Sequence, residues 1–281
     1  MGKEKNVTNA PQRIIDFYTR IFSETDRLDR NIGSLERTRT IDILDRHLPE
    51  PPAVIIDVGG ATGTYACWLM ERGYEVHLID LVLHHVEKAR DAMERVAGDR
   101  WWSASVGDGS NLPFQTDNAD VVLLMGPLYH LQEKNERLGV LGEASRVLRP
   151  GGAVVCAAIS RFASFIDGLY SGYIHDPAFR NIIAGDLRDS CHRNPTEKPE
   201  YFTEAYFQHP SELNDEIASA GFLDVRVLAV EGVLWFTKNT DALREDESAW
   251  SAAMDFMRMI EGDASIIGAS SHLLAIGKKS R

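Results

Sequence analysis

The sequence predicts an α/β fold built on a largely parallel sheet with helical crossovers. Two observations carry this expectation. Short apolar, β-branched runs alternate with helix-like segments from residue 53 to residue 159, and strands buried on both faces need helices as covers. Strand-like and helix-like runs then resume after residue 208, so seven strand-like runs frame one large domain with an insertion.

In chain order, residues 11–47 read as helical. Ile14, Ile15, Phe17, Tyr18, Ile21 and Phe22, and later Ile41, Leu44 and Leu48, recur at helical spacing. Leu48-Pro49-Glu50-Pro51-Pro52 ends this preface, because proline disfavours helix in itself and in the residue before it. Residues 53–58 read as the first strand, 62–72 as a helix stopped by Gly73, 75–80 as the second strand and 83–96 as a helix. Residues 103–106 and 119–125 give the third and fourth strands, and 132–148 a long helix. Arg149-Pro150-Gly151-Gly152 reads as a turn before a fifth strand over 153–159. Residues 160–208 break the alternation; they are rich in aromatics, Gly, Asp and Asn and hold no clear strand. A helix over 210–220, a strand over 223–230, a mostly helical piece over 241–260 and a last strand over 271–278 complete the chain.

The 281 residues carry a formal net charge of −12. A single-sign acidic field repels phosphate backbones, which disfavours nucleic acid as a partner. Cys67, Cys156 and Cys191 are odd in number and widely spaced, with no C-x-x-C, which argues against a disulfide framework or a zinc cluster. The opening Met1-Gly2-Lys3-Glu4-Lys5-Asn6 lacks the apolar core of a signal peptide, and no apolar run approaches bilayer-spanning length. The expectation is a cytoplasmic protein, monomer or homodimer, with a small-molecule substrate and no metal or membrane partner.

In open α/β sheets, ligands sit at the carboxyl ends of the strands where strand order reverses, and the first strand borders that point. Here it ends in Asp57-Val58-Gly59-Gly60-Ala61-Thr62-Gly63-Thr64-Tyr65. Glycine lets the backbone turn tightly and approach a ligand, and the following helix start offers N–H groups and a positive dipole end. Alone, this turn also admits a nicotinamide dinucleotide. Gly60-Ala61-Thr62-Gly63 is similar to the G-A-T-G-x-x-G turn of some Rossmann reductases, but Ala66 stands where that pattern wants glycine. Asp80, closing the second strand, can accept both hydroxyls of a ribose in either cofactor class.

Asp57-x-Gly59-x-Ala61-x-Gly63 resembles motif I of the class I S-adenosylmethionine-dependent methyltransferases, acidic-x-G-x-G-x-G, with Ala61 in place of the middle glycine. Gly107-Asp108-Gly109 followed by Asn111-Leu112-Pro113-Phe114 resembles a G-D-x-x-x-L-P-F phrase of the same class, and Leu148-Arg149-Pro150-Gly151-Gly152 its turn before the fifth strand. Gly126-Pro127-Leu128-Tyr129-His130-Leu131 and Phe202-Thr203-Glu204-Ala205-Tyr206-Phe207 are similar to a small-molecule subgroup known as type 11 or ubiquinone-biosynthesis-like. The resemblance spans about residues 50–160 strongly and 209–281 in outline.

The resemblance implies a doubly wound, mostly parallel seven-stranded sheet with helices on both faces and an antiparallel last strand. It divides the chain into a helical cover (1–50), a cofactor-binding core (51–159), an inserted substrate lid (160–208) and the rest of the core sheet (209–281). It implies S-adenosyl-L-methionine as cofactor and S-adenosyl-L-homocysteine as product. The cofactor contacts it implies are Asp57, Gly59, Gly60, Ala61, Gly63, Tyr65, Asp80, Leu81, Gly107, Asp108, Gly109, Met125 and Gly126, with Tyr18, Arg27 and Arg37 reaching from the cover.

Methyl transfer from a sulfonium is an in-line displacement, so the protein mainly aligns the partners. A base is needed only where the nucleophile carries a proton. His130, after the fourth strand, is the candidate base and substrate contact, with Tyr129 beside it. Tyr170, Tyr173, Tyr206 and Phe207, with Trp235 and Phe236 after the sixth strand, are candidate aromatic walls for the substrate. No carboxylate lies between Met125 and Gln132, which argues against a metal-dependent catechol route. The expected reaction is methyl transfer to an O or N atom of a small, partly aromatic molecule. A nicotinamide-dependent Rossmann reductase and a non-catalytic S-adenosylmethionine-binding protein are the alternatives.

Overall fold

Val54-Ile55-Ile56-Asp57-Val58 is almost continuously apolar because both faces of the strand it forms are covered. In the computed structural model, which describes residues 10–20, 31–196, 198–237 and 239–281, this strand is the centre of a seven-stranded sheet. The sheet strands are β1 (Val54–Val58), β2 (Glu75–Asp80), β3 (Trp102–Val106), β4 (Ala119–Leu124), β5 (Leu148–Ile159), β8 (Phe222–Ala229) and β9 (His272–Lys279), in the order β3-β2-β1-β4-β5-β9-β8. β9 runs antiparallel to both its neighbours, and β1 to β5 are mutually parallel. The chain steps outward from β1 through β2 to β3, then returns to β4 on the other side of β1, so strand order reverses between β1 and β4.

Alternate residues feed two cores. Ile55, Val76, Leu78, Val121 and Leu123 pack against Ile43, Leu44, Leu69, Met70, Val86 and Met93 from helices on one face. Ile56, Val58, Val122, Leu124 and Val154 pack against Val140, Leu141, Leu213 and Ile217 on the other. Truncating any one of these buried leucines to alanine removes about 2–5 kcal/mol. Two buried arginines tie elements across these layers. Arg39 bonds Asp42, Glu261 and the Val230 carbonyl, and so joins the helix Asn31–His47 to the C-terminal segments. Arg137 grips Glu216 with two hydrogen bonds of 2.9 and 2.6 Å and donates to the carbonyls of Leu131 and Gln132.

Two expectations are corrected. Arg149-Pro150-Gly151-Gly152 is not a turn outside the fifth strand; it is an irregular stretch within β5, where the pairing with β4 shifts register. A Cβ on Gly152 would lie 2.9 Å from the Arg149 carbonyl oxygen and 3.0 Å from that of Asp120, which explains why glycine stands at this bulge. The segment 160–208 does contain strands. Helices Ala163–Tyr170 and Pro177–Asp189 are followed by a short antiparallel pair, β6 (Cys191–His192) with β7 (Ala205–Tyr206). Two-residue strands carry too little alternation to be read from sequence. Phe179, Ile182, Ile183 and Tyr201 give this insertion its own small core.

Candidate functional site

The reversal point between β1 and β4 opens into a cleft of about 460 Å³. Its floor is the loop after β1. Gly59, Ala61 and Gly63 take positive φ, at 77°, 47° and 86°. At Gly59 a Cβ would meet Pro127 Cδ at 2.9 Å and the Gly126 amide nitrogen at 3.1 Å, so the loop and the start of the segment after β4 approach as bare backbone. Ala61 holds the left-handed conformation without being glycine, at a cost of about 1 kcal/mol. Its N–H donates to Asp80 Oδ2 at 2.9 Å, which fixes the loop in that shape.

Asp80 is the junction of the cleft. Its Oδ1 accepts from the Val82 amide at 2.9 Å and faces His85 Nδ1 at 3.2 Å. Asp108 Oδ1 accepts from the Ser110 amide at 2.7 Å and from the Ser110 hydroxyl, shaping the turn after β3. Gly59, Gly60, Ala61, Tyr65, Asp80, Leu81, Gly107, Asp108, Gly109, Met125 and Gly126 all line the cleft, as do Tyr18, Tyr129 and His130. Asp57 and Gly63 do not. Asp57 is fully buried beneath the loop, where a Cβ on Gly60 would lie 2.5 Å from its Oδ2. Among the described residues neither Asp57 oxygen has a hydrogen-bond partner, and burial, with the Asp80 charge nearby, pushes its carboxyl up to about 7. Gly63 instead lets the next helix approach Ala89, to which a Cβ would come within 3.3 Å. Arg37 lines neither cavity, and Arg27 lies outside the described residues.

His130 ends the short helix Pro127–His130 and is packed among aromatic rings. Its Nε2 is 3.0 Å from the Tyr18 hydroxyl, and its Nδ1 has no partner among the described residues. Burial pulls the imidazole down to about 4, so it is neutral at pH 7.

A second cavity, of about 440 Å³, lies beneath the 160–208 insertion. Tyr18, Tyr65, Met125 and Tyr129 line both cavities, which therefore share a mouth. Tyr170, Phe207 and Trp235 line this lid cavity. Tyr173 and Tyr206 do not: Tyr173 packs on Phe179 and Tyr201 in the insertion's own core, and Tyr206 lies under the Arg137 guanidinium at 3.8 Å while its hydroxyl bonds Glu212. Phe236 lines neither cavity.

Sequence reasoning missed several lining groups. His85 stacks edge-on against Tyr18, with ring centres 5.6 Å apart, in the cleft between β1 and β4. Glu36, Asp167 and His272 line the lid cavity. His272 bonds Glu231 Oε1 through Nδ1 at 2.5 Å and faces Glu36 at 3.6 Å. No motif announces these residues; only the pairing of β9 with the end of β5 brings His272 beside Ile159.

Residues 56–156 match the type 11 methyltransferase domain family. Over 216 residues the chain is 27% identical to the ubiquinone/menaquinone biosynthesis C-methyltransferase UbiE of Cereibacter sphaeroides, covering 73% of this chain and 80% of that one. It is 32% identical over 108 residues to a human probable tRNA methyltransferase 9B, of which that match spans 21%. Among solved structures, an S-adenosylmethionine-dependent methyltransferase from Thermotoga maritima, described as a possible histamine N-methyltransferase, superposes with TM-score 0.57 at 18% identity, over 95% of this chain and all of that one. Among the described residues no helix is long and apolar enough to cross a membrane. Motif order, sheet topology and these likenesses agree: residues 56–156 form a type 11 methyltransferase domain, and the chain is an S-adenosylmethionine-dependent methyltransferase similar to the UbiE-like group.

Proposed function

We propose that this methyltransferase acts on an O or N atom of a small, partly aromatic molecule seated in the lid cavity. The observation that carries the reading is the shared mouth, where Tyr18, Tyr65, Met125 and Tyr129 belong to both cavities. A cofactor on one side thereby meets an acceptor on the other.

The cleft fits the cofactor. Gly59 leaves the loop backbone bare where a side chain would collide, and Asp80 is aimed into the cleft at the end of β2. Gly59, Gly60 and Ala61 would pass under the amino acid end, Asp80 and Leu81 would take the ribose, Gly107 to Gly109 the adenine, and Met125 and Gly126 the methionine carbons. When bound, the cofactor supplies an activated methyl group on a sulfonium. The protein's share is alignment and proton handling. Tyr18 lines both cavities, and its hydroxyl is bonded to the neutral His130. A proton leaving the acceptor would pass to Tyr18 Oη as the Tyr18 proton passes to His130 Nε2.

Carbon is the rival acceptor atom, because the UbiE relatives are named C-methyltransferases. The acidic chain, at −12, supports no nucleic-acid substrate. Incubation with S-adenosylmethionine labelled in its methyl carbon and a panel of phenols, amines and hydroquinones tests the reading. NMR of the products is expected to place the label on O or N; label found only on carbon would overturn it.

A further inference from the structure

We propose, resting on that reading, that the acceptor is anchored by a cationic amine at the corner of the lid cavity formed by Glu36, Asp167 and the His272–Glu231 pair. The cavity's charge inventory leads there. Glu36, Asp167 and Glu200 line it, and no Lys or Arg does so among the described residues. Glu231 lies fully buried behind His272 and is already satisfied, accepting from His272 Nδ1 at 2.5 Å, the His272 amide at 3.0 Å and the Ser270 hydroxyl at 2.8 Å. Its role is to orient the imidazole, and its filled oxygens make it a poor ligand for a metal ion. The lining carboxylates that neighbour His272 are Glu36 and Asp167. A carboxylate or phosphate on the acceptor would meet like charge here, whereas an ammonium gains charge-assisted hydrogen bonds.

Two further groups mark the same corner. Trp235 and Ser271 are 4% and 3% exposed, and both line the cavity. Neither the Trp235 indole N–H nor the Ser271 hydroxyl has a hydrogen-bond partner among the described residues. Buried polar groups without partners cost about 1–3 kcal/mol each, so these two donors favour an acceptor molecule that carries an oxygen here. A hydroxyl or carbonyl oxygen beside the nitrogen would accept from them.

The corner is also separated from the methyl-donating side. Leu124, the residue before Met125, pairs with Cys156, while His272 pairs with Ile159 on the far side of β5. Two strand spacings, roughly 10 Å, therefore lie between Met125 and His272. An acceptor held here by its nitrogen reaches the shared mouth with its other end, across apolar side chains such as Ile159 and Leu273. The anchor and the methylated atom are thus different atoms of one small molecule.

Isothermal titration of the full chain saturated with S-adenosylhomocysteine tests this with three matched phenols: tyramine, tyrosol and 4-hydroxyphenylacetate. Tyramine is expected to bind at least about tenfold more tightly than tyrosol, with 4-hydroxyphenylacetate weakest. Glu36→Gln and Asp167→Asn, made separately so that one folding failure leaves the other informative, are each expected to cut the preference at least about threefold with unchanged S-adenosylhomocysteine affinity. Equal affinities, a preference for the carboxylate, or no binding of tyramine overturns the proposal. If that happens while methyl label still appears on O or N of some acceptor, the amine anchor alone fails; label only on carbon sinks the reading beneath it.

Discussion

The cleft between β1 and β4, proposed for the cofactor, and the cavity beneath the insertion, proposed for the acceptor, differ little in volume, about 460 and 440 Å³, and share a wall, yet they are built from different materials. The floor of the cleft is backbone, from a glycine-rich loop, the end of β2 and the turn after β3, all at the carboxyl edge of one sheet. The lid cavity is side chains drawn from the cover helix, the insertion, the segment after β8 and the start of β9. A backbone site tolerates few residue types at its turning points and so leaves a motif. A side-chain site can be rebuilt at any lining position without disturbing the sheet, which suits it to setting acceptor choice.

The contrast breaks most sharply at Gly59. Gly59→Val adds bulk where even a Cβ would sit 2.9 Å from Pro127 Cδ, at a φ of 77°. The expected result is loss of S-adenosylhomocysteine affinity by more than about a thousandfold, roughly 4 kcal/mol, read by titration calorimetry. Affinity within threefold of the parent would show that the cleft is not held by backbone.

His130 tests whether the two cavities communicate. Because burial holds its imidazole down at about 4, it stays neutral, and able to accept a proton, until the pH falls to that region. The rate is expected to be flat from pH 8 to pH 5 as far as this group is concerned and to fall below that, and His130→Asn should lower kcat about a hundredfold. An acid limb centred near 6.5, the ordinary histidine value, would sink the relay through Tyr18.

The same contrast explains what the sequence made legible. Gly59, Asp80 and the Gly107-Asp108-Gly109 turn were readable because each answers a backbone demand at a strand end, and all of them line the cleft. Asp57, from the same motif, was read as a contact, yet it is buried beneath the loop, since an alternating strand turns it away from the ligand side. Tyr173 and Tyr206 were indistinguishable from Tyr170 in sequence, because which aromatic faces a cavity and which fills an insertion's own core depends on packing between helices with no shared period. Glu36, Asp167 and His272 lie far apart in the chain and meet only through tertiary contacts.

Asp57 sharpens the comparison through stability. Its folded carboxyl sits near 7, above the ordinary carboxylate range, so between about pH 4 and pH 7 the folded protein keeps a proton that the unfolded chain releases. Stability therefore falls as pH rises through that window and levels off above it. Asp57→Asn cannot ionise, so denaturant unfolding at pH 8 is expected to show a gain of about 4 kcal/mol that vanishes at pH 4. An equal effect at both pH values would assign the gain to packing.

The smallest effect is expected at Ala61, where the loop departs from the family pattern. A φ of 47° is strained for alanine and free for glycine, but glycine also gives the unfolded chain more freedom to lose. Ala61→Gly should therefore stabilise by at most about 1 kcal/mol, a rise in melting temperature of roughly 1–2 °C. Its N–H would still donate to Asp80, so cofactor affinity should move by less than about twofold. A larger loss of affinity would mean that the strained alanine, held against Asp80, presets the loop for its ligand, and that rigidity as well as bare backbone distinguishes the cleft from the lid cavity.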